Sequence, residues 1–220
     1  MIFAEDRFMS ADLESAACKP CPVAATGFNR EAALPYGCTV SHIQKAMADF
    51  IDFLGFVDAQ LHIKGIPRME SMLMPANFSS MVGEFMAANI PKYCAGLVKN
   101  TYHNGHPDLI PSGKFPDDAV QHSADGIEIK ASRYASGWQG HNPEDVFLLV
   151  FVFDSSRPSD VAKMVGPKAF RFLEVLGAKI RKQDWLFSGR SKTSRRTITA
   201  SVTESGYRKM RKNWIYRSPD

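Results

Sequence analysis

Val146-Phe147-Leu148-Leu149-Val150-Phe151-Val152-Phe153 is the longest strongly apolar run in the chain. Its length and lack of alternation predict a central strand covered on both faces, the pattern of a sheet between helices. Upstream, Ile43, Met47, Phe50, Ile51, Leu54 and Val57 recur at helical spacing. They predict a helix capped by Thr39 or Ser41 and running to about Gln60, ended by Gly65-Ile66-Pro67. Met69, Met72, Leu73 and Met74 read as packing material. Phe78, Met81, Val82 and Phe85 form the inward stripe of a second helix, from a cap at Asn77 to about Asn89, with Pro91 as its stop. Farther on, Asp125-Gly126 is a turn that opens a strand through Ile127-Glu128-Ile129-Lys130, and a short helix is expected around Asp160 to Val165. The imperfect alternation from Phe170 to Ile180 predicts another strand, as does the alternation of Thr and apolar positions within Ser194 to Val202. Ser205-Gly206 then opens a polar, basic stretch through Tyr207, Met210 and Trp214.

Residues 1–38 show no periodicity and are broken by Pro20, Pro22 and Pro35. They read as an N-terminal arm or irregular cap, leaving 39–220 as one domain with a basic C-terminal segment. A chain of 220 residues that is 45% apolar and 23% charged can bury a substantial core. The net charge of +4 is unevenly placed: from Arg181 to Asp220 there are 11 Lys/Arg against 3 Asp/Glu. A basic end of this kind can attract a polyanion such as DNA, and it is equally the composition of a solvated tail. The start lacks a long apolar stretch and no run is long enough to cross a bilayer, so neither a signal peptide nor membrane contact is expected and the cytoplasm is the default.

Candidate chemistry centres on His106-Pro107-Asp108-Leu109-Ile110-Pro111 and Asp125-Gly126-Ile127-Glu128-Ile129-Lys130. Side chains on a strand alternate faces, so Glu128 and Lys130 share one face and Ile127 and Ile129 the other. With Asp108 at the end of a neighbouring strand, two carboxylates and an ammonium converge. Hard oxygen ligands suit Mg²⁺, and the lysine is suited to orient a water or offset developing negative charge. Asp117, Asp118 and Asp125 are rival carboxylates on a turn-rich connection. Asp108 is preferred because Leu109 and Ile110 place it on a rigid element.

Pro107-Asp108 followed by Glu128-Ile129-Lys130 resembles the PD-(D/E)XK motif of the restriction-endonuclease-like superfamily. The resemblance implies an α/β fold with a restriction-endonuclease-like core, a central mixed β-sheet flanked by α-helices, spanning about Asn77 to Val202. It implies Mg²⁺-dependent cleavage of DNA phosphodiesters, with Mn²⁺ able to substitute, and assigns Asp108, Glu128 and Ile129 to the metal. Glu84, at the border of the apolar helical stripe, is the candidate for the supporting acid that many members carry on the helix before the Asp strand. A type II restriction enzyme acting on double-stranded DNA as a homodimer, beside a companion methyltransferase, is the leading expectation. A repair or junction-resolving nuclease would use the same site.

The loop after Lys130 carries Arg133, Trp138, Gln139, His141 and Asn142, groups able to touch bases or phosphates. Trp138 is equally suited to anchoring that loop in the core. Arg190, Lys192, Arg195 and Arg196 are the candidates for backbone phosphates. Cys18, Cys21, Cys38 and His42 have zinc-ligand chemistry, although unpaired structural thiols fit the pattern better. Two readings compete with the nuclease: a non-catalytic DNA-binding or assembly module, and a hydrolase pairing Cys94 with His103 or His106. The latter has no sharp motif around it.

Overall fold

The computed structural model describes residues 13–140, 142–187 and 199–219. The fold is mixed α/β. A six-stranded sheet has the order β1-β2-β3-β5-β6-β9, built from Leu97–Lys99, Leu109–Pro111, Ile127–Ser132, Val146–Asp154, Arg171–Ile180 and Trp214–Arg217. Only β3 and β5 run parallel; every other neighbouring pair in this sheet is antiparallel. A second, three-stranded sheet has the order β4-β8-β7, from Gln139–Gly140, Ala200–Val202 and Trp185–Phe187.

Strand β5 is the axis of the molecule because alternate residues feed two cores. Phe147, Leu149, Phe151 and Phe153 pack into the cluster under helices α1 (Val40–Ile63) and α3 (Pro75–Tyr93). Val146, Leu148, Val150 and Val152 pack against Trp138, Trp185, Ala200, Val202 and Met210, on the small sheet and helix α5 (Glu204–Lys212). An apolar run without polar alternation is therefore what the position requires, since neither face meets water.

Helix α1 begins as its cap residue dictates. The Thr39 side chain accepts from His42 N, and His42 Nδ1 accepts from Thr39 N at 3.2 Å, a reciprocal box with histidine in place of the usual Glu or Gln. Ile43, Met47, Phe50 and Leu54 are fully buried, and the helix runs three residues past Gln60. Helix α3 differs from expectation at both ends. It starts at Pro75, where a missing N–H costs nothing in the first turn, and it carries Pro91 inside its last turn. Cys94 N still reaches Ile90 O at 3.1 Å and closes the helix.

The basic C-terminal stretch also departs from its polar pattern. Thr203 caps α5 by accepting from Gly206 N at 3.3 Å, and β9 follows at the sheet edge with Ile215 and Tyr216 buried. Residues 28–33 lie along that edge: Phe28 bridges Tyr216, Asn29 N donates to Ile215 O, and Ala33 N donates to Asn213 Oδ1 at 2.8 Å. The short helices α2 (Met69–Met72) and α4 (Pro158–Ala162) lie between these elements, and 3-10 turns lie at Ala25–Gly27, Pro116–Asp118 and Lys182–Asp184.

A buried polar knot joins these parts. Arg68 is 2% exposed and pairs with Glu70, while its Nε donates to Glu14 Oε2 at 2.9 Å and its Nη2 to Ser156 Oγ at 3.1 Å. Asp58 Oδ1 accepts from Met69 N at 2.8 Å. Burial first, and then the neighbouring Asp58 charge, push the Glu70 carboxyl up to about 8 despite Arg68. No helix among the described residues is long and apolar enough to cross a membrane.

Candidate active site

Strands β2 and β3 are in register at one pair, Leu109 opposite Ile127, and then diverge. Beyond that pair the Ile129 N–H has no partner on β2, and Asp108 takes it: Asp108 Oδ2 accepts from Ile129 N at 2.7 Å. The tight approach requires glycine at 126. Its φ is +146°, and a Cβ there would sit 2.2 Å from Leu109 O and 2.4 Å from Pro107 Cγ. The His106–Pro107 bond is cis.

Asn100, following β1, holds the loop that delivers Asp108. Its N donates to Asp108 O at 2.9 Å, and its Nδ2 donates to Pro107 O at 3.0 Å and Val120 O at 2.8 Å. Its Oδ1 accepts from Tyr102 N and Val120 N, both at 3.1 Å. A buried amide thus satisfies four groups that would otherwise be stranded.

On β3, Glu128 and Lys130 share the open face and form an ion pair, while Ile127 and Ile129 enter the core. Glu128 also lies 3.0 Å from His106 Nδ1, and His106 Nε2 lies 2.8 Å from Glu144 Oε2. The Glu144 contact is close but poorly aligned, so Nε2 is buried without a hydrogen-bond partner. Trp185 Nε1 fixes the Glu144 main chain by donating to its carbonyl at 2.9 Å.

These contacts separate the two carboxylates electrically. Burial, followed by the Glu128 charge, pushes Asp108 up to about 7, against the Ile129 N–H and Lys130. Burial acts the same way on Glu128, but the hydrogen bond and charge of His106 together with Lys130 outweigh it and bring Glu128 down to about 2. Burial disfavours the charged forms of His106 and Lys130. Glu128 and Glu144 nevertheless raise His106 to about 9, and Glu128 raises Lys130. Two carboxylates, one held ionised and the other discouraged by its neighbour, are an oxygen donor set that a hard divalent cation would relieve.

The groups open onto a cavity of about 760 Å³, whose lining includes Glu84, Lys99, Asn100, His106, Asp108, His122, Glu128, Lys130, Asn142 and Glu144. Glu84, on α3, reaches it while its Oε2 accepts from Lys99 Nζ at 2.8 Å. Its negative charge contributes to the upward shift of Asp108.

The remaining candidates divide. Asn142 lines the cavity and Gln139 is exposed on β4. Arg133 turns into the protein: its Nη2 donates to Ser155 Oγ at 2.7 Å and Ser156 O at 3.0 Å, and its guanidinium stands 5.1 Å from the Phe78 ring and 5.0 Å from that of Phe153. Trp138 is buried in the second core and donates Nε1 to Tyr134 O at 2.9 Å, the anchoring role that its apolar bulk allowed. His141, Arg190, Lys192, Arg195 and Arg196 lie outside the described residues.

The cysteines do not gather as the Cys18, Cys21, Cys38 and His42 set. Cys18 is buried and donates to Glu14 O, whereas Cys21 is exposed. Cys38 and His42 come together with Cys94 instead. His106, His122 and Glu144 had no assigned role at the carboxylate site in the sequence, and only the adjacency of His106 to Pro107-Asp108 pointed to one of them.

No protein-family model, curated protein or solved structure matches this chain.

Proposed function

We propose that this chain is an Mg²⁺-dependent DNA endonuclease of the PD-(D/E)XK type, built on a restriction-endonuclease-like core and acting as a type II restriction enzyme. The observation that carries the reading is the convergence of Asp108, Glu128 and Lys130 at the rim of one cavity, where β2 and β3 part.

Asp108, Glu128 and Ile129 would hold the metal, and the Ile129 main-chain N–H also fixes Asp108. When bound, the ion would polarise the phosphate and acidify a water. Glu128 is suited to ligation because it stays ionised. Lys130 is held as an ammonium by Glu128, so it acts as a donor and not as a base. It orients the attacking water or compensates charge on the phosphoryl oxygens. Glu84 adds a further carboxylate at the same cavity. Hydrolysis joins the water oxygen to phosphorus, breaks the bond to the leaving sugar oxygen, and returns a proton to that oxygen.

The substrate in this reading is double-stranded DNA, reached from the cytoplasm by a homodimer that cuts both strands. A methyltransferase of the same specificity would protect the host DNA. A repair or junction-resolving nuclease would use the same groups. Incubating the pure protein with plasmid and phage DNA, in Mg²⁺ or EDTA, tests the proposal. Discrete metal-dependent fragments are expected, a smear favours a repair or non-specific nuclease, and binding without cleavage favours a non-catalytic DNA-binding module.

A further inference from the structure

We infer that His106, His122 and Glu144 form a binding site for a Zn²⁺-class divalent ion on the wall of the cavity beside Asp108 and Glu128. One ligand atom from each lies within 4.8 Å of the other two, although the three residues come from separate loops. His106 and His122 are brought side by side by main-chain pairing: His106 N donates to Gln121 O at 3.1 Å, and Ser123 N to His106 O at 2.9 Å. Their rings stack with centroids 5.3 Å apart and planes at 19°.

The two nitrogens of His106 have distinct roles. Nδ1 faces Glu128 Oε2 at 3.0 Å, the outer carboxylate contact that orients a metal-binding imidazole and sets its tautomer. Nε2 is buried and lies 2.8 Å from the Glu144 carboxylate, a contact too poorly aligned to be a good hydrogen bond. A cation that displaces the proton from Nε2 would take both groups as ligands. His122 is exposed, and zinc bonds of about 2.0–2.2 Å to nitrogen and oxygen require its ring to close in on the other two ligands. Two imidazoles and one carboxylate select a borderline ion such as Zn²⁺ over Mg²⁺, which prefers oxygen alone. With three protein ligands the ion keeps an open position toward the cavity, the arrangement of catalytic and not of closed structural zinc. The site does not depend on the nuclease reading, and Glu128 links it to the Asp108 carboxylate site.

The test is equilibrium binding of Zn²⁺, with Co²⁺ as a spectroscopic substitute, to the full chain without DNA. One equivalent of Zn²⁺ is expected, with a Co²⁺ absorption band that Zn²⁺ displaces. His122→Ala and Glu144→Gln should abolish binding, and Glu128→Gln should weaken it by roughly 10–100-fold through loss of the outer contact. Circular dichroism establishes that each variant is folded. Cys38→Ser should bind as the parent does. Absence of stoichiometric binding, binding insensitive to His122→Ala and Glu144→Gln, or binding lost in Cys38→Ser would each overturn the site, the last by transferring the ion to Cys38, His42 and Cys94. Because no DNA is present, failure of the nuclease proposal leaves this result unaffected.

Discussion

Asp108 and Ile129 are joined by a 2.7 Å hydrogen bond from main-chain N–H to carboxylate, made where β2 and β3 cease to pair. The bond turns a gap in the sheet into a fixed position for a carboxylate on a rigid strand end. It leaves the other Asp108 oxygen for a ligand. Asp108→Asn keeps a carbonyl oxygen able to accept from Ile129 N and loses the charge. Thermal unfolding should remain close to the parent, while Mg²⁺-dependent cleavage falls by at least roughly 100-fold, the scale of a lost transition-state electrostatic contact. Equal loss of folding and cleavage would make Asp108 a structural residue.

Asn100 should behave differently, because its side chain satisfies Pro107 O, Val120 O, Tyr102 N and Val120 N. Asn100→Ala strands buried polar groups that typically cost about 1–3 kcal/mol each, softened where water enters. A loss of about 2–4 kcal/mol in urea unfolding is expected, together with reduced cleavage because the Asp108 loop loosens. An unchanged midpoint would mean that the loop is held by other contacts.

Arg133 separates a structural role from DNA contact. Its guanidinium donates to Ser155 and Ser156 and stacks over Phe78 and Phe153. Arg133→Ala is expected to destabilise the fold by about 1–3 kcal/mol and to leave DNA affinity in a gel-shift titration unchanged at a temperature where the variant is folded. Weakened DNA binding at full stability would reverse that assignment.

Glu70 gives the fold a pH dependence. Burial, and then the Asp58 charge, push its folded carboxyl up to about 8, above the ordinary glutamate value of 4.5. The folded chain therefore holds a proton that the unfolded chain has lost between these values. Its contribution to stability is complete below about 4.5 and is lost as pH rises through about 8. Denaturant midpoints measured across this window should fall with pH, and Glu70→Gln should flatten that part of the curve. An unaltered slope in the variant would place the ionisation elsewhere.

Legibility in the sequence followed how local the determining interactions are. Val146–Phe153 announced a strand covered twice because both faces of one short segment are apolar. Glu128 and Lys130 could be placed on one face from the two-residue period alone. Helix α5 and strand β9 were hidden because the charges of Arg208, Lys209, Arg211 and Lys212 mask a helix whose burial rests on Gly206 and Met210. The inward turn of Arg133 was not legible because it depends on Ser155, Ser156, Phe78 and Phe153, all distant along the chain. The approach of His122 and Glu144 to His106 has the same origin: loop pairing and the Trp185 hydrogen bond bring them together, and no spacing rule encodes either.

The most direct test of the central proposal is the initial rate of supercoiled-plasmid cleavage in Mg²⁺ by the parent chain and by Lys130→Ala, with EDTA as the control and DNA binding measured alongside. The account predicts metal-dependent cutting by the parent and a loss of at least roughly 100-fold in the variant, with the fold and DNA binding retained. Cleavage by Lys130→Ala at the parental rate, or none by a parent chain that binds the DNA, would contradict it.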